Sequence, residues 1–214
     1  MTEKTVLHIG PGKATIDQMS PGFRDGSWRE IRYDIDPSGK PDILGSITDM
    51  SVIDSESVDA IYSSHNIEHV YAHEVATVFR ECKRVLKPNG FLAMTCPDIE
   101  MVAKHIVATG LTEPIYQSGM GPIRPIDILY GHTLAIAGGA TYMAHRTALS
   151  KDLLYQHAQA AGFEAILCRQ RPTFVDLWLI ATVSPVPESE IRLMMDNYGG
   201  RHPKADEAGI PVPA

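Results

Sequence analysis

Thr5-Val6-Leu7-His8-Ile9-Gly10-Pro11-Gly12 is a run of five β-prone residues that ends in a glycine turn. A strand stopped in this way opens many nucleotide-binding α/β domains, because glycine lets the backbone turn sharply and approach a ligand. Outward from it, residues 31–34 and 42–45 read as short second and third strands, and residues 58–63 as a clearer fourth. Between residues 71 and 86, Val75, Val78, Phe79, Cys82, Val85 and Leu86 recur at helical spacing with charged residues between them. Lys87-Pro88-Asn89-Gly90 carries turn chemistry, residues 91–95 make a fifth strand, and Asp98 is placed to cap a helix reaching about Thr109.

The next stretch, residues 110–149, holds nine glycines and prolines, among them Gly119, Gly121, Pro122 and Gly131, and so predicts irregular structure. Ser150 is placed to cap a helix to Ala161 with Gly162 as its stop, and residues 165–169 and 173–183 form a candidate closing hairpin. Strands alternating with helices and then a hairpin predict an α/β, Rossmann-like fold. Its sheet is mostly parallel with an antiparallel edge strand, and helices cover both faces. One feature resists this plan: residues 35–41 leave seven positions between the second and third strands, fewer than a helical crossover needs. Either a loop replaces that helix or the third strand is rudimentary.

The expected organisation is one domain over residues 1–184, with 110–149 as an insertion or lid over an acceptor site, and an extended tail over 185–214. Five prolines, from Pro185 to Pro213, suggest that this tail contributes little to the core.

With 214 residues, 44% hydrophobic and 21% charged, the chain has the composition of a globular protein that buries one sizeable core. Its 19 basic against 26 acidic side chains give a formal net charge of -7, which disfavours a nucleic-acid partner. Cys82, Cys96 and Cys168 form no Cys-x-x-Cys pair and read as buried thiols of a reducing compartment. The first apolar segment, five residues long, is too short for a signal-peptide core, and residues 126–144 contain Asp127, His132 and three glycines, a poor membrane span. A cytoplasmic location without membrane attachment is the expectation; the oligomeric state stays open, a homodimer included.

Ligands of open α/β sheets bind beyond the carboxyl ends of the strands, near the switch in strand order. The residues there are Gly10-Pro11-Gly12 after the first strand and Asp34 and Asp36 after the second. On linked motifs the chain resembles the class I methyltransferases, type 11 branch. These motifs are residues 6–12, Tyr33-Asp34-Ile35-Asp36-Pro37, Gly45-Ser46-Ile47-Thr48-Asp49-Met50, and residues 58–70 followed by 81–91. The resemblance implies S-adenosylmethionine as methyl donor and S-adenosylhomocysteine as product. It also implies that the turn of Gly10, Pro11 and Gly12 faces the methionine part, Asp34 the ribose, Ser46 and Ile47 the adenine, and Ser64 with His65 the methionine side, with Ile35 a further cofactor-binding candidate. The chain departs from the family pattern at His8 and Ser46, where acids are common, and at Ala14 or Thr15, where a further glycine is common.

The acceptor expected is a small molecule, and its identity is not legible. His65, His132 and His145 are the candidate proton acceptors, although methyl transfer to a good nucleophile needs little beyond alignment. His65-Asn66-Ile67-Glu68-His69 also fits the inverted zinc-protease pattern H-x-x-E-H. Because it follows a strand directly, it is expected to start as a loop, and no metal is expected. The competing readings are an NAD-dependent oxidoreductase, whose glycine fingerprint Thr15 breaks, and a non-catalytic binding domain of the same fold.

Overall fold

A computed structural model describes residues 3–119 and 121–200. In chain order its elements are β1 (Lys4–Ile9), β2 (Trp28–Asp34), β3 (Ile43–Leu44), β4 (Val58–Ser64), α1 (Val75–Val85), β5 (Leu86–Pro97) and α2 (Ile99–Thr109). Then come β6 (Tyr116–Ser118), β7 (Gly121–Ile123), α3 (Pro125–Tyr130), α4 (Thr133–Ala137), α5 (Lys151–Ala160), β8 (Ala165–Arg171), β9 (Asp176–Thr182) and α6 (Glu188–Tyr198). Seven strands make one sheet in the order β3-β2-β1-β4-β5-β9-β8, and β6 and β7 pair separately. The pairs from β3 to β5 are parallel, whereas β9 runs antiparallel to both β5 and β8. The chain winds outward from β1 to β3 and then returns to β4 on the other side of β1. The carboxyl ends of β1 and β4 therefore flank the switch point, with Ile9 opposite Ser63.

Side-chain alternation along the strands splits the core in two. On one face Leu7, Ile9, Ile61, Leu92 and Met94 pack under α1 and α5, which contribute Val78, Phe79, Cys82, Leu154 and Ala158. On the other, Val6, Ala60, Tyr62, Phe91 and Ala93 pack with Phe23, Trp28, Ile191 and Met195. Capping matches the sequence expectations: Asp98 accepts from the N–H groups of Glu100 and Met101 at the start of α2, and Ser150 accepts from that of Leu153 in α5. The predicted turn at Lys87–Gly90 sits inside β5 as a bulge, since Val58 pairs with Leu86 and Ala60 already with Phe91.

Both halves of the difficulty at residues 35–41 hold, for a single 3-10 turn (Pro37–Gly39) replaces the crossover helix and β3 is two residues long. The β1–β2 connection also lacks an α-helix and has only the 3-10 turns Ile16–Gln18 and Pro21–Phe23. That face of the sheet would lie bare without α6. The expectation of an extended tail from 185 onward is thus corrected over residues 188–198; residues 201–214, with their three prolines, lie outside the described residues. Ile191, Met194, Met195 and Tyr198 follow helical spacing, and the Tyr198 ring packs at a tilt against Phe23 and Phe91 with centroids 4.8 and 4.7 Å apart. The stripe is one short helix long, so proline and charge outweighed it in the composition. Nor is any helix among the described residues long and apolar enough to cross a membrane.

Ile191 and Met195 are 5% and 1% exposed. Ile191→Ala or Met195→Ala should therefore destabilise the protein by about 2 to 5 kcal/mol in urea unfolding. A chain ending at Pro187 should melt many degrees lower; melting like the intact chain would show that α6 adds nothing to the core.

Candidate functional site

At the end of β1, Gly10 and Gly12 adopt left-handed φ values of 62° and 55°. A Cβ on Gly10 would lie 1.6 Å from Asn66 Oδ1, whereas one on Gly12 would meet open space. Asn66 sits against Gly10 because its Nδ2 donates to the carbonyls of Ile9 and Ser64 at 2.9 and 3.1 Å, joining the ends of β1 and β4. From the other side, Arg32 Nη2 donates to the carbonyls of Gly12 and Gly39. The backbone of the turn is thus held while its upper side stays open.

Asp34, buried at the end of β2, accepts from the N–H of Gly12 at 2.8 Å on Oδ2 and from that of Asp36 at 2.9 Å on Oδ1. A carboxylate oxygen offers about two acceptor positions, so each retains one for a hydroxyl. Asp36 turns away and caps the Pro37–Gly39 turn by accepting from Ser38. Ile35 is an exposed apolar side chain beside Asp34. Ser46 Oγ bonds Thr48 Oγ1 at 2.8 Å. Ile47 packs in the core, so its backbone alone faces a ligand on that side. Pro11 is buried, and Ser64 and Gly10 are half-buried. An open left-handed turn, a carboxylate with spare lone pairs and an exposed apolar edge fit a nucleoside that carries an amino-acid chain.

His8, standing where an acid is common, is itself paired with one: its Nδ1 lies 2.6 Å from Glu30 Oε1. Glu30 Oε2 then accepts from the N–H of Ile16. The carboxylate that ties the loop after β1 comes from β2, one strand away, which sequence reading missed. Its only signal is an acid on a strand opposite a buried histidine.

Beyond β4 the chain passes through His65, a non-glycine residue with φ 55°, into a 3-10 turn (Ile67–His69). The H-x-x-E-H helix that would put His65 and His69 on one face does not form. His65 Nδ1 instead pairs with Glu68 Oε1 at 3.1 Å, and its Nε2 lies 3.9 Å from Asp176. Partial desolvation opposes a charge on His65, yet the Glu68 carboxylate and Asp176 outweigh it and raise its pKa. Burial favours the neutral form of Glu68, but the bond to His65 and the nearby His69 and His145 hold its pKa below the ordinary value.

These residues open on a cavity of about 290 Å³ whose wall includes Tyr116, Asp127, His132, Met143 and His145 from the 110–149 segment. Asp127, buried, is held by Arg124 and by Thr133 Oγ1, and the Arg124 hydrogen bond keeps its pKa far below the usual carboxylate range. His132 caps α4, its Nδ1 accepting from the N–H of Ala135 at 3.2 Å. That bond uses the imidazole lone pair and leaves the proton on Nε2, so the neutral ring presents a donor to the cavity. In His145, Nδ1 donates to the Ile128 carbonyl at 2.6 Å and Nε2 keeps its lone pair; burial lowers its pKa. The fold therefore brings His65, His132 and His145 to one cavity, while Gly10, Gly12 and Asp34 lie on the far side of Asn66.

A seven-stranded sheet of this order, with an antiparallel β9 after the parallel strands, is the fold of the class I methyltransferases. Residues 19–94 match the type 11 methyltransferase domain family. That match begins after the glycine turn and ends before the 110–149 part of the cavity wall, while His65, Glu68 and His69 lie within it. The fold is shared with a protein from Pyrococcus horikoshii at 14% identity and a TM-score of 0.54, over 83% of this chain and 81% of that one. It is shared with an S-adenosylmethionine-dependent methyltransferase from Methanosarcina mazei at 14% identity and 0.51, over 85% and 93%. A citrinin polyketide synthase methyltransferase domain superposes at 14% identity and 0.54, over 86% of this chain and 47% of that one. No curated protein matches the chain.

Gly10→Ala should force Asn66 from its place and strain the backbone by about 1 to 2 kcal/mol beyond the clash. Thermal unfolding should show a clear loss of stability, and Gly12→Ala, which meets open space, should cost less. Equal melting of Gly10→Ala and wild type would remove the Asn66 contact.

Proposed function

We propose that the chain transfers a methyl group from S-adenosylmethionine to a small-molecule acceptor bound in the cavity beyond β4 and β5. The observation that carries this reading is adjacency: the glycine turn, held against Asp34, is joined through Asn66 to the end of β4, from which His65 leads into the cavity. When bound, S-adenosylmethionine supplies a methyl group already activated by its sulfonium. Asp34 would accept the ribose hydroxyls, the backbone of Gly10, Pro11 and Gly12 would face the methionine part, Ile35 and the backbone of Ser46 and Ile47 would border the adenine, and Ser64 with His65 would close the methionine side.

Residues 110–149 would serve as the acceptor wall. The cavity volume, about 290 Å³, is near the lower end of the roughly 300 to 1,000 Å³ common for small-molecule sites and agrees with a compact acceptor. The net charge of -7 speaks against a polyanion. Three buried free thiols favour a reducing, cytoplasmic setting.

His65 is the base this reading favours for an acceptor that must lose a proton. Glu68 orients Nδ1 and stabilises the imidazolium, while Nε2 takes the proton, the division of labour of an acid-oriented histidine. His145, neutral and with a free Nε2, is the second choice, and His132 would orient the acceptor as a donor.

Calorimetric titration should give S-adenosylmethionine binding and none for NAD. Asp34→Ala should weaken binding by roughly ten- to a hundredfold, from the loss of about 1.5 to 3 kcal/mol of hydrogen bonding to a charged group. An affinity equal to wild type would remove the ribose assignment. With a hydroxyl or amine acceptor, kcat/KM should rise with pH through a pKa above 6.5, because Glu68 raises that of His65 and the base must be neutral. His65→Gln should lower the rate roughly 10²- to 10⁴-fold and abolish that limb. A pH profile unchanged in His65→Gln would transfer the role to another group, and cofactor binding with no turnover across acceptors would favour a binding domain.

A further inference from the structure

One cluster in the cavity offers more donor atoms than the methyl-transfer reading with His65 as base requires. Glu68, His69 and His145 place ligand-type atoms within 4.8 Å of one another. The first two belong to the turn after β4. His145 comes from far along the chain, brought there by the N–H groups of Arg146 and Thr147, which donate to the Glu68 carbonyl at 2.8 and 3.2 Å. Gly131 permits the approach, since a Cβ there would lie 1.9 Å from the Met143 carbonyl oxygen.

The hydrogen bonds set the protonation of both rings. His69 Nδ1 meets the carbonyl of Ala144 at 3.2 Å, and His145 Nδ1 that of Ile128 at 2.6 Å. A carbonyl only accepts, so each Nδ1 carries the proton and each Nε2 keeps a free lone pair. Metal-binding histidines are held in the same way by an outer carbonyl or carboxylate. Glu68 is 3% exposed; its Oε1 is engaged by His65, and its Oε2 is buried with no hydrogen-bond partner among the described residues. Such an oxygen costs about 1 to 3 kcal/mol or more when left unpaired.

We propose that Glu68 Oε2, His69 Nε2 and His145 Nε2 form a site for one divalent transition-metal ion, zinc in the first instance, with its open coordination facing the cavity. Two imidazoles and one carboxylate are a known zinc donor set that leaves a position for an exogenous ligand. Tetrahedral zinc with bonds of about 2.1 Å needs ligand atoms roughly 3.4 Å apart. Separations of up to 4.8 Å close to that by at most about 1.4 Å, through rotations of broad side-chain torsions. His65 is not a ligand; it holds Glu68 from outside. The site thus differs from the H-x-x-E-H pattern and replaces the expectation of no metal. It stands in the cavity assigned to the acceptor but rests on its own geometry.

The test is titration of the full chain with cobalt(II), followed by visible absorption, and with zinc, followed by calorimetry, both without S-adenosylmethionine. One equivalent should bind and give the strong visible bands of a low-coordinate cobalt site. His69→Ala and His145→Ala should each weaken binding by more than the roughly 10- to 100-fold that outer-shell changes cost. His73→Ala, away from the cavity, should leave it unchanged. Melting curves of the metal-free variants separate loss of a ligand from loss of fold, and Glu68→Gln, which keeps the shape, replaces an alanine variant that does not fold. Failure of wild type to bind one equivalent, or equal affinity in wild type and the folded variants, overturns the proposal. If S-adenosylmethionine binds and the metal does not, this inference alone falls; the reverse result removes the methyl-transfer reading alone.

Discussion

Asn66 is the joint on which the site depends. Its side-chain amide donates both protons to strand-end carbonyls, those of Ile9 and Ser64, and so clamps the carboxyl ends of β1 and β4 across the switch point. The clamp works because Gly10 has no Cβ: any side chain there would occupy the space of the amide. Once the two ends are joined, the turn after β1 faces one side and the chain beyond β4 the other. The glycine turn and the cavity lined by His65 then become neighbours joined through Asn66.

In the same region a histidine–carboxylate pair ties down the loop after β1: Glu30, reaching from β2, meets His8 Nδ1 through one oxygen and accepts from the loop N–H of Ile16 through the other. Arg32 supplies further restraint by binding the Gly12 carbonyl and the 3-10 turn at Pro37–Gly39. Short connections on this side leave a face of the sheet uncovered, and α6 returns from the end of the chain to bury it with Ile191 and Met195.

Two of the four non-glycine residues with left-handed φ among the described residues lie at or beside the cavity. His65 and Val175 have left-handed φ values of 55° and 48°, and for a β-branched residue such as Val175 this is unusual. Each such residue costs of order 1 to 3 kcal/mol and persists only where its surroundings over-determine it. Val175 is held by Asp98, whose N–H donates to its carbonyl, and it delivers Asp176 toward His65 and Arg171. The 110–149 wall is held in a comparable way, through Asp127, Arg124 and Thr133.

What the amino-acid sequence determined by itself is local or periodic. It includes the alternation of the strands, the helical spacing of Val75 to Val85, the caps Asp98 and Ser150, the glycine turn, and the acid at the end of β2. Each of these follows from the stereochemistry of a few adjacent residues, so it can be read without knowing where the rest of the chain goes. The tertiary structure alone decided that Glu30 serves His8, that Ile191 and Met195 close the bare face, and that His132 spends its lone pair on a cap. It alone brought His145 to Glu68 and His69, from about 75 residues along the chain, through the N–H groups of Arg146 and Thr147 and the closeness that Gly131 allows. These contacts join residues distant in sequence, and no spacing or propensity records which distant partner a buried polar atom finds.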